Sequence, residues 1–151
     1  SGALAPWYQS IDYGGATNWT VTSADAHTGI YSATDQGNKL MVQYFAAVPT
    51  SDITLASVWV KNPNALPNAI YLEYSDASNA SGLLFTTGQW QYVDFTPWLS
   101  PGKSLVAVGV WGYSSGGTDE RTYVDDWMVE AVPEPATLSM LVCAALLRRR
   151  R

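Results

Sequence analysis

Cysteine, histidine and basic side chains are scarce in this chain, and each scarcity removes a class of function. The single cysteine among 151 residues, Cys143, allows no intrachain disulfide and leaves the redox compartment open. With one histidine, His27, and one cysteine, no zinc-ligand pattern exists. His27 is also the only candidate histidine base, and there is no Gly-x-Ser-x-Gly elbow, so a serine hydrolase of that kind is not built. It reads as a solvated turn residue. The glycines of "YSSGGTDE" (113–120) precede neither a Lys-Ser/Thr pair nor a helix, so they make no phosphate cradle. Upstream of residue 148 the only basic residues are Lys39, Lys61, Lys103 and Arg121, against 13 acids, so residues 1–147 carry a net charge of −9. A body that acidic repels a phosphate backbone, which excludes nucleic acid as the partner. The opening "SGALAPWYQS" has neither a basic start nor an apolar core, so it is not itself a signal peptide. The expectation is a leader already removed, or a trimmed start.

Alternation over short runs is what the chain does have. "ITLASVWVKN" (53–62) sets Ala56, Val58 and Val60 against Leu55, Ser57, Trp59 and Lys61. "SLVAVGVWGY" (104–113) sets Val106, Val108 and Val110 against Ala107, Gly109, Trp111 and Tyr113. "NKLMVQYFAAV", "NAIYLEYSD", "QWQYVDF" and "ERTYVDDWMV" are similar, each rich in β-branched and aromatic residues. Between them lie turn-forming clusters such as "NPNALPN", "SDASNASG" and "TPWLSPGK". About nine short strands with turns every eight to twelve residues predict an all-β antiparallel sandwich over residues 1–131.

Ligand chemistry points to aromatics: 7 Trp and 9 Tyr stand against 3 Phe, a bias toward rings with a polar edge. Sugars stack C–H faces on such rings while their hydroxyls bond to nearby polar groups. The valine face of 104–113 is the core side, which leaves Trp111 and Tyr113 opposite, over an open floor of Ala107 and Gly109. If strands 53–62 and 104–113 are neighbours, Trp59, Trp111 and Tyr113 form a platform edged by Glu73 and Lys61. The alternative is that these rings pack within or between the sheets, as Trp90 is expected to do in the core. Glu73, Asp76, Asp94, Asp119 and Glu120 are the carboxylates from which a glycosidase pair would be drawn. In a small sandwich with few long loops they read as surface charges, so the chain is expected to be no enzyme. Asp125-Asp126 is the best metal candidate. Adjacent strand residues face opposite ways, so both should not enter one site directly; the alternative is a charged edge that discourages strand aggregation.

In order along the chain, "HTGIYSA" (27–33), "GQWQYVDFTPWLS" (88–100) and "RTYVDDWMVE" (121–130) resemble segments of jelly-roll carbohydrate-binding modules. The resemblance implies a galactose-binding-like jelly roll, a fold that hosts many ligands or none; the aromatics give the leading expectation, weak binding of a glycan or exopolysaccharide. The resemblance also implies a structural calcium, here shared by Asp125 or Asp126 with Asp12 and carbonyls near Gly29–Tyr31.

The carboxyl end, 132–151, resembles a PEP-CTERM sorting signal. Pro133, Glu134 and Pro135 precede an apolar run, Ala136–Leu147, which ends at Arg148, Arg149, Arg150 and Arg151. Prolines at 133 and 135 end the sandwich, and the residues from Thr137 suit a short hydrophobic helix. At 12 residues that helix is about 18 Å long, so the arginines would snorkel to the headgroups on the cytoplasmic side. The resemblance implies recognition by an exosortase at the inner membrane. The expectation is an exported, transiently anchored protein of the cell surface or extracellular matrix. The other reading is a structural matrix protein with no small ligand, its aromatics serving packing and association.

Overall fold

The structure, a computed structural model, describes residues 8–9, 19–36, 40–112 and 121–132. Ten strands run through them: β1 (Tyr8–Gln9), β2 (Thr20–Thr22), β3 (Ser32–Gln36), β4 (Leu40–Pro49), β5 (Ile53–Lys61), β6 (Pro67–Tyr74), β7 (Asn79–Phe85), β8 (Gln91–Asp94), β9 (Ser104–Trp111) and β10 (Arg121–Ala131). They pair antiparallel in two five-stranded sheets, β1-β4-β9-β6-β7 and β2-β3-β10-β5-β8. From β3 onward only β6 and β7 are sequence neighbours in one sheet; every other connection crosses to the opposite sheet. This is the expected jelly-roll β-sandwich. The short carboxyl-terminal helix and the 132–151 tail lie outside the described residues, apart from Val132.

Alternation builds the core. Ala56, Val58 and Val60 of β5 and Val124 of β10 meet Ile70, Leu72 and Tyr74 of β6 and Leu105, Val108 and Val110 of β9. Intervening residues on these strands face outward, as a pleat requires. The valine face expected for β9 is corrected at one position. Glu73 pairs with Ala107 while the next residue, Tyr74, pairs with Leu105, so β9 carries one extra residue there. A slip of one residue exchanges the faces. Leu105 therefore takes the core place and Val106 is left half-exposed.

Strand β7 was hidden inside what reads as a turn cluster, because "NASG" has poor strand propensity. It pairs with β6 along its whole length, from Glu73↔Asn79 to Pro67↔Phe85. The six-membered ring of Trp98 lies against Gly82 on this edge strand, where a Cβ would sit 2.7 Å from the ring. Glycine is kept there by a close approach, not by a turn.

Candidate functional site

The outer face of sheet β1-β4-β9-β6-β7 is set by register. Tyr44 of β4, Ala107 of β9, Glu73 of β6 and Asn79 of β7 form one row across the sheet. Val42, Gly109, Tyr71 and Ser81 form the next, and Leu40, Trp111, Ala69 and Leu83 the third. The first and third rows are four residues apart along the strands, or about 13 Å. Both Tyr44 and Tyr71 donate their hydroxyls to Glu73 Oε2, at 3.0 and 3.2 Å. The Tyr44–Glu73 bond bridges over β9, and Ala107, which lies between these two in the row, is fully buried. Tyr44 keeps 51% of its surface exposed. The expected open floor is corrected: Ala107 and Gly109 are both buried. At Gly109 a Cβ would lie 2.4 Å from the Met41 carbonyl oxygen and 3.3 Å from Val42 Cα, so glycine is what lets β4 lie close to β9. The result is a carboxylate fixed by two phenols, with aromatic surface on both sides of it.

The other outer face holds Trp59, half-buried among aromatic neighbours. His27, from the loop between β2 and β3, stacks on the indole with centroids 3.6 Å apart and planes 15° apart. Tyr92 tilts against the same indole at 5.5 Å, and Trp90 meets the His27 ring edge-on at 5.8 Å. Asp25 ties the group together, accepting from Lys61 Nζ at 2.6 Å and from Trp90 Nε1 at 3.0 Å. Trp90 is therefore no core residue: it is half-buried on the outside, where it also lies edge-on to Tyr123. His27 is no solvated turn residue either.

The aspartate pair reaches the same loop. β10 has a bulge between Asp125, opposite Trp59, and Met128, opposite Ser57. Within it Asp126 takes φ +47°, a conformation Asp tolerates better than most residues. The bulge cancels the alternation that should separate neighbours, so both carboxylates meet one loop. Asp125 Oδ2 accepts the backbone N–H groups of His27 and Thr28, and its Oδ1 accepts that of Asp126. Asp126 Oδ1 accepts the Thr28 hydroxyl at 2.7 Å, and its Oδ2 lies 2.8 Å from His27 Nδ1. An ionised carboxylate only accepts, so that ring nitrogen carries the proton.

These contacts make the loop sensitive to acid. The His27 hydrogen bond, against burial and with help from Thr28, holds the Asp126 carboxyl below its ordinary value. For Asp25, burial opposes ionisation, but the bonds from Lys61 and Trp90 outweigh it, and its carboxyl also ends low. Both groups bind protons less readily folded than unfolded, where they titrate near about pH 4. Their stabilisation is therefore complete above that pH and is lost as pH falls through the lower folded values. The urea midpoint is expected to drop between about pH 5 and pH 2, and Asp25→Asn with Asp126→Asn should flatten that drop. A mutant profile parallel to wild type would refute the assignment.

Of the platform residues, Glu73 and Trp111 share a face, Trp59 lies on the opposite one, and Tyr113 is outside the described residues. β5 pairs with β10 and β8, and β9 with β4 and β6, so the two strands are never neighbours. Lys61 accordingly serves Asp25 and not Glu73. Tyr44 and Tyr71 were missed, although "YLEY" places Tyr71 and Glu73 on one face two residues apart. Among the described residues, the candidate carboxylates Glu73, Asp76 and Asp94 do not converge. Glu73 and Asp94 sit on opposite outer faces, with Asp94 accepting the Thr96 N–H, and Asp76 in the β6–β7 turn ion-pairs with Lys103, just before β9. Asp119 and Glu120 are outside the described residues. So is Asp12, and among the described residues no three His, Cys, Asp or Glu side chains group as a metal site. Every carboxylate oxygen of Asp125 and Asp126 faces an N–H or O–H in the β2–β3 loop or in its own strand's backbone.

No protein-family model matches the chain, and no curated protein matches it. Solved structures do. A family 61 carbohydrate-binding module in complex with β-1,4-galactotriose is 17% identical, with a TM-score of 0.56 over 87% of this chain and 92% of that one. The family 11 module of a cellulosomal cellulase from Clostridium thermocellum is 9% identical, with a TM-score of 0.56 over 87% and 90%. A family 29 module complexed with cellulohexaose is 10% identical, with a TM-score of 0.52 over 84% and 82%. At such identities the likeness is one of architecture: the described residues have the jelly-roll fold seen in carbohydrate-binding modules.

Proposed function

We propose that the chain is an exported, non-catalytic module that holds a glycan or exopolysaccharide on the outer face of sheet β1-β4-β9-β6-β7. The observation that carries this is Glu73, its Oε2 fixed by the Tyr44 and Tyr71 hydroxyls between aromatic side chains. A fixed carboxylate accepts sugar hydroxyls without first being ordered, and the rings offer stacking surface for C–H faces. Likeness to modules solved with galactotriose and cellulohexaose supports the ligand class. The tail, with Pro133–Pro135 and Arg148–Arg151, is proposed as an exosortase signal that leaves the sandwich at the surface or in the matrix.

The test is isothermal titration of the full chain with β-1,4-galactotriose and cellulohexaose, with and without calcium. Tyr44→Ala with Tyr71→Ala should weaken binding about tenfold or more, equivalent to roughly 1.4 kcal/mol. Glu73→Gln keeps both rings and should weaken it less. Full affinity in the folded double variant would move the site elsewhere. The matrix reading has its own support: Leu83 and Phe85 stand on edge strand β7, 64% and 77% exposed. Leu83→Lys with Phe85→Lys should then reduce self-association in sedimentation.

A further inference from the structure

A second space lies at the edge of the sandwich, between β4 and the bulge of β10. It encloses about 400 Å³, and its lining includes Tyr31, Gln43, Val124, Asp125, Asp126 and Trp127. Gln43 is the unusual member. It occupies the position opposite core residue Val108, where alternation calls for an apolar side chain, and its half-buried amide makes no hydrogen bond among the described residues. An amide both donates and accepts, so one placed beside a cavity suits a ligand carrying hydroxyls.

The rim is equally particular. Ile30 and Tyr31 stand 69% and 62% exposed at the end of the β2–β3 loop. That loop is not loose: Asp125 and Asp126 anchor it at His27 and Thr28, as described above. An exposed aromatic is thus held at the mouth of a cavity whose lining includes a second aromatic, Trp127. The lining contains no cationic side chain, and two carboxylates border it, so an anionic ligand is disfavoured. The volume falls at the small end of the range for ligand sites.

We propose that this edge cleft is a second sugar site, taking one uncharged, hydroxyl-rich pyranose unit. Tyr31 would stack on its C–H face and Gln43 would bond its hydroxyls. The choice of a sugar rests on the glycan-binding reading; the site itself does not use the Tyr44–Glu73 face. A module with two such sites can hold two glycan segments at once, and linked binding of that kind raises avidity without new contacts.

The experiment is a nitrogen-15 NMR titration of the full chain with galactose, β-1,4-galactotriose and cellulohexaose. The Gln43 side-chain amide and Trp127 indole report the cleft; the Trp111 indole and the Tyr44 and Tyr71 backbone amides report the face. Both sets should shift and saturate at different concentrations. Tyr31→Ala, which removes an exposed side chain, should weaken the cleft response about tenfold and leave the face response unchanged. Gln43→Leu, a change of similar shape, should do the same. Face signals that move while cleft signals stay still would overturn the cleft and leave the face reading standing. Cleft signals that move alone would support the cleft and overturn the face. Silence of both sets with all three sugars would overturn both. A Tyr31→Ala effect spread equally over both sets would overturn the cleft as a separate site.

Discussion

Gly109→Ala is expected to destabilise the domain by about 3 kcal/mol, near the top of the range for overpacking substitutions. The new methyl would lie 2.4 Å from the Met41 carbonyl oxygen and 3.3 Å from Val42 Cα, and both of these belong to backbone. Only Leu40 Cδ1, at 3.2 Å, belongs to a side chain that can turn away. Relief therefore requires β4 to move off β9, in the middle of the ladder that runs from Leu40↔Trp111 to Tyr44↔Ala107. For a domain of this size the loss corresponds to a fall of about 10 °C in Tm. Calorimetry of wild type and variant measures it directly. The same movement separates Tyr44 from Glu73, so glycan affinity should fall with stability, although residue 109 offers a ligand no side chain. An unchanged Tm would mean that β4 yields without cost, and the close approach would lose its explanatory role.

The sandwich was legible because its strands obey a period of two nearly everywhere. β5 and β6 show this: the buried sets Ala56, Val58, Val60 and Ile70, Leu72, Tyr74 can be read straight from the letters. Two bulges defeated the same reasoning. In β9 the extra residue hides behind an unbroken valine pattern, and nothing in "SLVAVGVW" marks where the pairing slips. In β10 the bulge contains Asp126 rather than the glycine that would have signalled a positive φ. Strand neighbours were the larger loss. Trp59 and Trp111 look alike in sequence, each outward beside a valine, and only the crossing order of the strands separates them by the thickness of the sandwich. The aromatic face was half legible, since the Tyr71–Glu73 spacing is local. Tyr44 joins them only through a pairing across β9, which no local pattern encodes.

Trp59→Ala sorts the two outer faces by experiment. With His27 stacked on one side at 3.6 Å and Tyr92 leaning on it at 5.5 Å, the Trp59 indole is a packing element of the sheet containing β5. A fully buried Trp→Ala change costs about 3–5 kcal/mol; for this half-buried ring about 2–3 kcal/mol is expected. The loss should be shared with the loop, because removing the indole leaves His27 without its stacking surface. A double-mutant cycle of Trp59→Ala and His27→Ala should show a coupling of about 0.5–1.5 kcal/mol in urea unfolding. Glycan affinity, measured where both proteins are folded, should not change, since the ring lies on the face opposite Tyr44, Tyr71 and Glu73. The reverse pattern, full stability with binding abolished, would put the sugar on Trp59 and refute the assignment to the opposite face. Additivity in the cycle, with stability lost, would show that the ring packs against the sheet and that the His27 stack contributes little to holding the loop.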